Sequence, residues 1–165
     1  MQRADFPQGK RRNIVFFLTA LLVAAGDQLS KTWIRSNLDL GESLPDTGLL
    51  RLTRVHNTGA AFGLFQDQAF SLTIVALVGI IVLLLFVLFF YRRFPLQDNR
   101  LCKPALGLVL GGTVGNLIDR LHLGYVTDFI DFGIWPAFNI ADSAITVGII
   151  LFAYSLLFLA RTEKH

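Results

Sequence analysis

Residues Ala69–Tyr91, AFSLTIVALVGIIVLLLFVLFFY, run for 23 positions without one charged side chain. About 20 apolar residues in a helix cross the hydrocarbon core of a bilayer, so this stretch reads as a transmembrane span. Three further windows share its character: Asn13–Trp33, polar only near its far end, the glycine-rich Pro104–Leu123, and Phe138–Ala160. Composition agrees, with hydrophobic residues at 53% and charged residues at 16% of the 165-residue chain, far from a soluble balance. The expected architecture is an all-α polytopic membrane protein, one membrane domain over residues 1–165 with four transmembrane helices. The segment after Arg11-Arg12 resembles a cleavable secretion signal, but apolar character resumes through Leu29, Trp33 and Ile34, so it reads as a retained anchor.

Lysines and arginines set the orientation. Arg3, Lys10, Arg11, Arg12, Arg92, Arg93, Arg100, Lys103, Arg161 and Lys164 fall on one side of an even number of spans, ten in all, against Lys31, Arg35, Arg51, Arg54 and Arg120 on the other. Both termini are expected in the cytoplasm. The basic residues form short clusters between apolar runs rather than one stripe, which argues against nucleic acid as a partner despite the net charge of +3. Segments 35–68 and 124–137 then face outward. The first contains Leu50-Arg51-Leu52-Thr53-Arg54-Val55, partly alternating and β-branched, a candidate strand at the membrane surface. The second contains Trp135-Pro136, suited to the interface.

Ionisable residues in spans are costly and by default functional candidates. Asp27 and Lys31, four apart, share one helix face and neutralise each other, a pair expected to anchor the first helix. Asn116, Asp119 and Arg120 share a face of the third span, with local charge compensation expected between the adjacent acid and base. Gly107, Gly111 and Gly115, spaced by four, let another helix approach closely. In the fourth span Asn139, Asp142, Ser143 and Thr146 form a polar stripe confined to the outer end. No lysine or arginine lies within four residues of Asp142.

Asp128, in the preceding loop, also lacks a local basic partner, and fourteen residues of chain could bring it face to face with Asp142. Two apposed carboxylates in a low dielectric share one proton, an arrangement that hydrolyses amides by acid–base catalysis without metal or covalent nucleophile. Asp131 competes with Asp128 for the role, and periodicity leaves the choice open. The single cysteine, Cys102, excludes a disulfide framework, and His56, His122 and His165 show no metal-ligand spacing. No metal or cofactor is expected.

Five ordered blocks resemble prolipoprotein signal peptidase, also called signal peptidase II: Asp27-Gln28-Leu29-Ser30-Lys31, Asn57-Thr58-Gly59-Ala60-Ala61-Phe62, Gly111-Gly112 through Gly115-Asn116-Leu117-Ile118-Asp119-Arg120, Val126-Thr127-Asp128-Phe129 and Phe138-Asn139-Ile140-Ala141-Asp142-Ser143. The resemblance implies an aspartyl endopeptidase of the bacterial cytoplasmic membrane with Asp128 and Asp142 as the catalytic pair and Asp131 as a bystander; a monomer is expected. It implies that Asn57, Asn116, Arg120, Asn139 and Ala141 line and orient the site, that Asp27, Lys31 and Asp119 support it, and that a small outward-facing β-rich cradle covers the substrate. The implied substrates are prolipoproteins cut just before a diacylglyceryl-modified cysteine, at the outer face among membrane lipids. A small proton-coupled transporter is the rival reading, since intramembrane acids also serve proton relays, and a structural assembly subunit is a third.

Overall fold

Helix α3 (Cys102–Leu123) is more interior than a lipid-facing helix, because over half of its residues are buried. The computed structural model describes residues 8–59, 68–90 and 101–162. In it α3 is the central post, with α1 (Gln8–Asn37), α2 (Ala69–Leu85) and α4 (Ile140–Thr162) packed around it. The glycines make this possible. A Cβ at Gly111 would stand 2.5 Å from the Ala20 carbonyl oxygen of α1, and one at Gly107 would stand 2.7 Å from that of Phe16. About 100° round the helix, Gly112 lies against the Ala141 carbonyl of α4. Small residues thus let three backbones meet, the packing that operates where lipid removes the hydrophobic drive between helices.

Helices α1, α2 and α4 contain windows long and apolar enough to cross a membrane: Asn13–Asn37, Phe70–Phe89 and Ile140–Leu157. Their outer faces expose large apolar side chains, among them Leu22, Val75, Phe89 and Leu157, a coat that water would not tolerate. Helix α3 differs because it sits inside and carries Lys103, Asn116, Asp119 and Arg120. Helix α2 continues through one π-helical turn, Phe86–Phe90, whose Val87 enters a cluster with Phe16, Cys102, Leu106 and Leu110. Tyr91, the end of the quoted apolar run, lies outside the described residues.

The outward segments form a three-stranded antiparallel sheet in the order β1 (Ser43–Leu44), β2 (Arg51–Asn57), β3 (Val126–Asp131). The strand expected at Leu50–Val55 runs two residues further, to Asn57. Helix α4 begins at Ile140 rather than Phe138, because Phe138 bridges back to Ile130. The sheet is seated on the end of α1. Ile34, Leu38 and Phe129 form a buried cluster with Leu52, Ile130 and Ile140 around it, and the Arg54 guanidinium donates to the carbonyls of Leu38 (3.0 Å) and Arg35 (3.3 Å). A cation on these otherwise orphaned carbonyls caps the helix. Helix α3 ends at Gly124, left-handed at φ 79°, whose N–H bonds the Arg120 carbonyl; the chain turns there directly into β3.

The packing predicts a sharp contrast between two glycines. Gly111→Leu, which must displace α1 backbone, should destabilise by about 1–3 kcal/mol or more and reduce the yield of folded protein in detergent. Gly79→Leu, which meets nothing within 4 Å, should unfold within about 0.5 kcal/mol of wild type. Equal thermal stability of the two variants would contradict this helix arrangement.

Candidate active site

Lys31 is fully buried in the interior of α1, and its ammonium needs partners there. It finds three. Nζ lies 2.8 Å from Asp27 Oδ2, one turn earlier on α1, and 3.3 Å from Asp119 Oδ2 of α3. It also donates to Asn116 Oδ1 at 2.9 Å. Gly115 leaves room for this junction, since a Cβ there would stand 2.6 Å from Asp27 Oδ2.

The two carboxylates reach onward. Asp27 Oδ1 accepts the Ala141 N–H at 3.0 Å, fixing the first turn of α4. Asp119 accepts the Thr127 N–H at 2.9 Å, fixing the start of β3, and bonds Gln28 Nε2 (3.1 Å) and Arg35 Nη1 (3.4 Å). The compensation expected between Asp119 and Arg120 is not what forms. Adjacent helix residues point about 100° apart, so Asp119 turns to Lys31 and Arg35 while Arg120 Nη2 donates to the Gly59 carbonyl at 3.2 Å. Ala141 likewise sits fully buried behind the site, tied to Asp27, rather than on its surface. Arg35 and Gln28 were missed as members of this cluster. Arg35 continues the four-residue spacing of Asp27 and Lys31, which is the signal that could have found it.

From that junction the hydrogen bonds lead to the two acids. Asn116 Nδ2 donates to Asp142 Oδ1 at 2.8 Å. Asn139 Nδ2 donates to Asp128 Oδ1 at 2.6 Å and to Asn116 Oδ1 at 3.1 Å. Asn139 and Asp142 also form a capping box at the start of α4: the Asp142 N–H donates to Asn139 Oδ1 (2.9 Å), and the Asn139 N–H to Asp142 Oδ2 (3.3 Å). The second Asp128 oxygen accepts from Asn57 Nδ2 at 2.8 Å, across the β2–β3 pair. Asn57 is held in turn by the Gly59 N–H on its Oδ1. The rest of the expected cradle block, Ala60–Phe62, lies outside the described residues.

Asp128, Asp142, Asn57, Asn116 and Arg120 border one cleft of about 930 Å³, which extends along Ser143, Thr146 and Val147 of α4. Asp128 is 2% exposed. Burial foremost, and then the charge of Asp142, push its carboxyl up to about 7. Asp131 also borders the cleft, but its carboxylate is engaged by Arg51 Nη2 at 2.6 Å, Thr53 Oγ1 at 3.0 Å and the Gly133 N–H at 2.7 Å. That N–H, more than the two side chains, holds it below the usual carboxylate range. Among the described residues no group of three His, Cys, Asp or Glu side chains is placed to hold a metal ion. The arrangement can hold an amide between two acids, one able to carry a proton near neutrality.

Two outcomes follow from these contacts. Lys31→Met leaves Asp27 and Asp119 buried without their common cation and should cost about 3–5 kcal/mol, read as loss of folded protein or a lowered Tm. Asp128 has a folded-state value above the ordinary 3.8, so its contribution to stability is intact below about pH 4 and lost as pH rises through about 7. The non-ionisable Asp128→Asn should therefore gain Tm relative to wild type across that window; a difference independent of pH would contradict the burial argument.

The chain is similar to known proteins over most of its length. A family model described as signal peptidase (SPase) II matches residues 19–158. A lipoprotein signal peptidase of Dehalococcoides mccartyi is 48% identical over 154 residues, 93% of each chain. One of Moorella thermoacetica is 48% identical over 143 residues, 86% of this chain and 92% of that protein. A bacterial membrane enzyme solved by the in meso method superimposes with a TM-score of 0.77 at 34% identity, covering 86% of this chain and 87% of that one. On these matches the chain belongs to the signal peptidase II family.

Proposed function

We propose that Asp128 and Asp142 are the catalytic pair with which this aspartic signal peptidase removes the signal peptides of prolipoproteins. The observation that carries the assignment is Asn139, whose side chain and backbone bond both acids at once at the edge of one cleft. One ionised carboxylate accepts a proton from water as its oxygen attacks the scissile carbonyl. The other, as a carboxylic acid, donates to the carbonyl oxygen. Collapse of the tetrahedral intermediate breaks the C–N bond, with a proton delivered to the leaving nitrogen. Asn57, Asn116 and Asn139 hold the acids, Arg120 borders the cleft, and Asp27, Lys31 and Asp119 support them from behind.

The remaining features belong to the same proposal. All four helices span the cytoplasmic membrane as one domain, with α3 shielded from lipid by its neighbours, and both termini lie inside, as the surplus of lysine and arginine on that side supports. The cleft then opens at the outer face, beneath the sheet. The substrate is a precursor whose cysteine carries diacylglycerol. Its acyl chains hold the scissile bond at the membrane surface, next to the apolar flank of α4. The enzyme acts as a monomer surrounded by lipid. A proton-coupled transporter finds no support: between Lys103 and Asn116, α3 carries a single hydroxyl, Thr113, bonded to its own helix.

Purified enzyme should shorten a diacylglyceryl-modified prolipoprotein on a gel, with or without chelator, and leave the unmodified precursor intact. Asp128→Asn and Asp142→Asn should each lower the rate by at least about 10⁴-fold while remaining folded, and Asp131→Asn should stay active. Activity surviving in either of the first two variants would sink the assignment.

A further inference from the structure

The hydrogen bonds around the two acids have a direction, and it starts at a charge. Lys31 Nζ can only donate, so Asn116 must present Oδ1 to it. That choice turns the Asn116 amide nitrogen toward Asp142. Asn139, whose Nδ2 donates to Asn116 Oδ1, presents its own Oδ1 to the Asp142 N–H. No amide in this chain can be flipped without facing donor to donor. A cation on the oxygen of an amide also polarises it and strengthens its N–H as a donor.

The two acids sit at different places in this chain. Asp142 receives the polarised Asn116 N–H on one oxygen and a backbone N–H on the other, in the first turn of a 23-residue helix whose dipole favours a negative charge. Asp128 lies on a strand, 2% exposed, bonded by two neutral amides. The charged and titratable groups that face the pair from the surrounding elements are Lys31 of α1, behind Asn116, Arg120 of α3, Asp131 at the far end of β3, and His56 of β2, which borders the cleft and stacks on Tyr125 at 3.7 Å.

Resting on the assignment of these two acids as the catalytic pair, we propose that the pair is built asymmetric: Asp142 is the ionised member that takes the proton from water, Asp128 holds the shared proton and donates it to the carbonyl oxygen, and Lys31 imposes this order through Asn116. The raised value of the Asp128 carboxyl agrees with that order. Lys31 is then a positioning residue, fully buried and absent from the border of the cleft.

Infrared difference spectroscopy at about pH 5, above the ordinary carboxylate range and below the raised value of Asp128, in an ester-free detergent, reads the proton without substrate and so independently of any cleavage assay. The protonated-carboxyl band should vanish in Asp128→Asn and persist in Asp142→Asn. Loss in Asp142→Asn, loss in both variants, or no loss in either would overturn the order. For Lys31, the double variant Lys31→Met/Asp27→Asn removes one cation and the one carboxylate that has no other cation, leaves Asp119 paired with Arg35, and keeps an amide oxygen for the Ala141 N–H. It should lower kcat at least about tenfold with KM within about twofold, since ground-state binding is untouched. Wild-type kcat, or a rise in KM alone, would overturn the role of Lys31. Should that variant not fold, Asn116→Leu cuts the same chain from α3. The frequency of its protonated-carboxyl band should shift from that of wild type, and an unchanged band would overturn the relay.

Discussion

The Lys31 ammonium, buried where α1 meets α3, is the constraint on which the rest of this structure depends. An isolated cation there would be prohibitive, and each group that compensates it is fastened to another element. Asp27 reaches α4 through the Ala141 N–H, Asp119 reaches β3 through the Thr127 N–H, and Asn116 reaches Asp142. The charge cluster thereby sets the relative placement of three helices, a strand and the site. Such a pair adds little net stability over apolar packing; what it supplies here is registry. Slippage of α1 by one turn would strand every member of the cluster in a low dielectric.

The glycines and the charges are parts of one solution. Gly107 and Gly111 bring α1 against α3 backbone to backbone, and Gly115, on the same row, makes the space that the Asp27 carboxylate occupies. The backbones of α1 and α3 therefore meet one and two turns before the polar cluster, and the row then opens just enough to admit it. The sheet completes the assembly from outside the helices. It rests on Ile34 and Leu38 and is clamped by Arg54, and it delivers Asn57 and Asp128 to the end of α3 where Asn116 waits. Asp128 on a strand and Asp142 on a helix are thus held in place by bonds from three elements, the kind of preorganisation that the proposed acid–base chemistry needs.

Much of this was legible in the sequence because the bilayer punishes ambiguity. The uncharged run at Ala69–Tyr91, the four-residue glycine row and the Asp27–Lys31 spacing each had one economical reading, and the described parts of the structure realise them as helix, interhelical contact and ion pair. What was not legible depended on side-chain direction. Asp119 beside Arg120 read as a local pair, yet their helix directions diverge and their partners come from other elements. The choice between Asp128 and Asp131 stayed open without a strand assignment. Once both lie on β3, their partners separate them: Arg51, Thr53 and Gly133 engage Asp131, whereas Asn57 and Asn139 bond Asp128. The Asn139–Asp142 capping box had a local signature, two polar residues three apart before an apolar run, but its use as a bridge to Asp128 required the tertiary fold.

One asparagine, Asn139, bridges Asp128 and Asp142, the two carboxylates proposed to work as a single unit. The most direct measurement is kcat/KM for a diacylglyceryl-modified prolipoprotein with Asp128→Asn, Asp142→Asn and the double variant, each verified as folded. Groups that act as a unit lose their contribution together, so the double variant should be no slower than the slower single variant. Losses that multiply, with the double variant slower by the product of the two single effects, would show that the acids act independently and contradict the shared site.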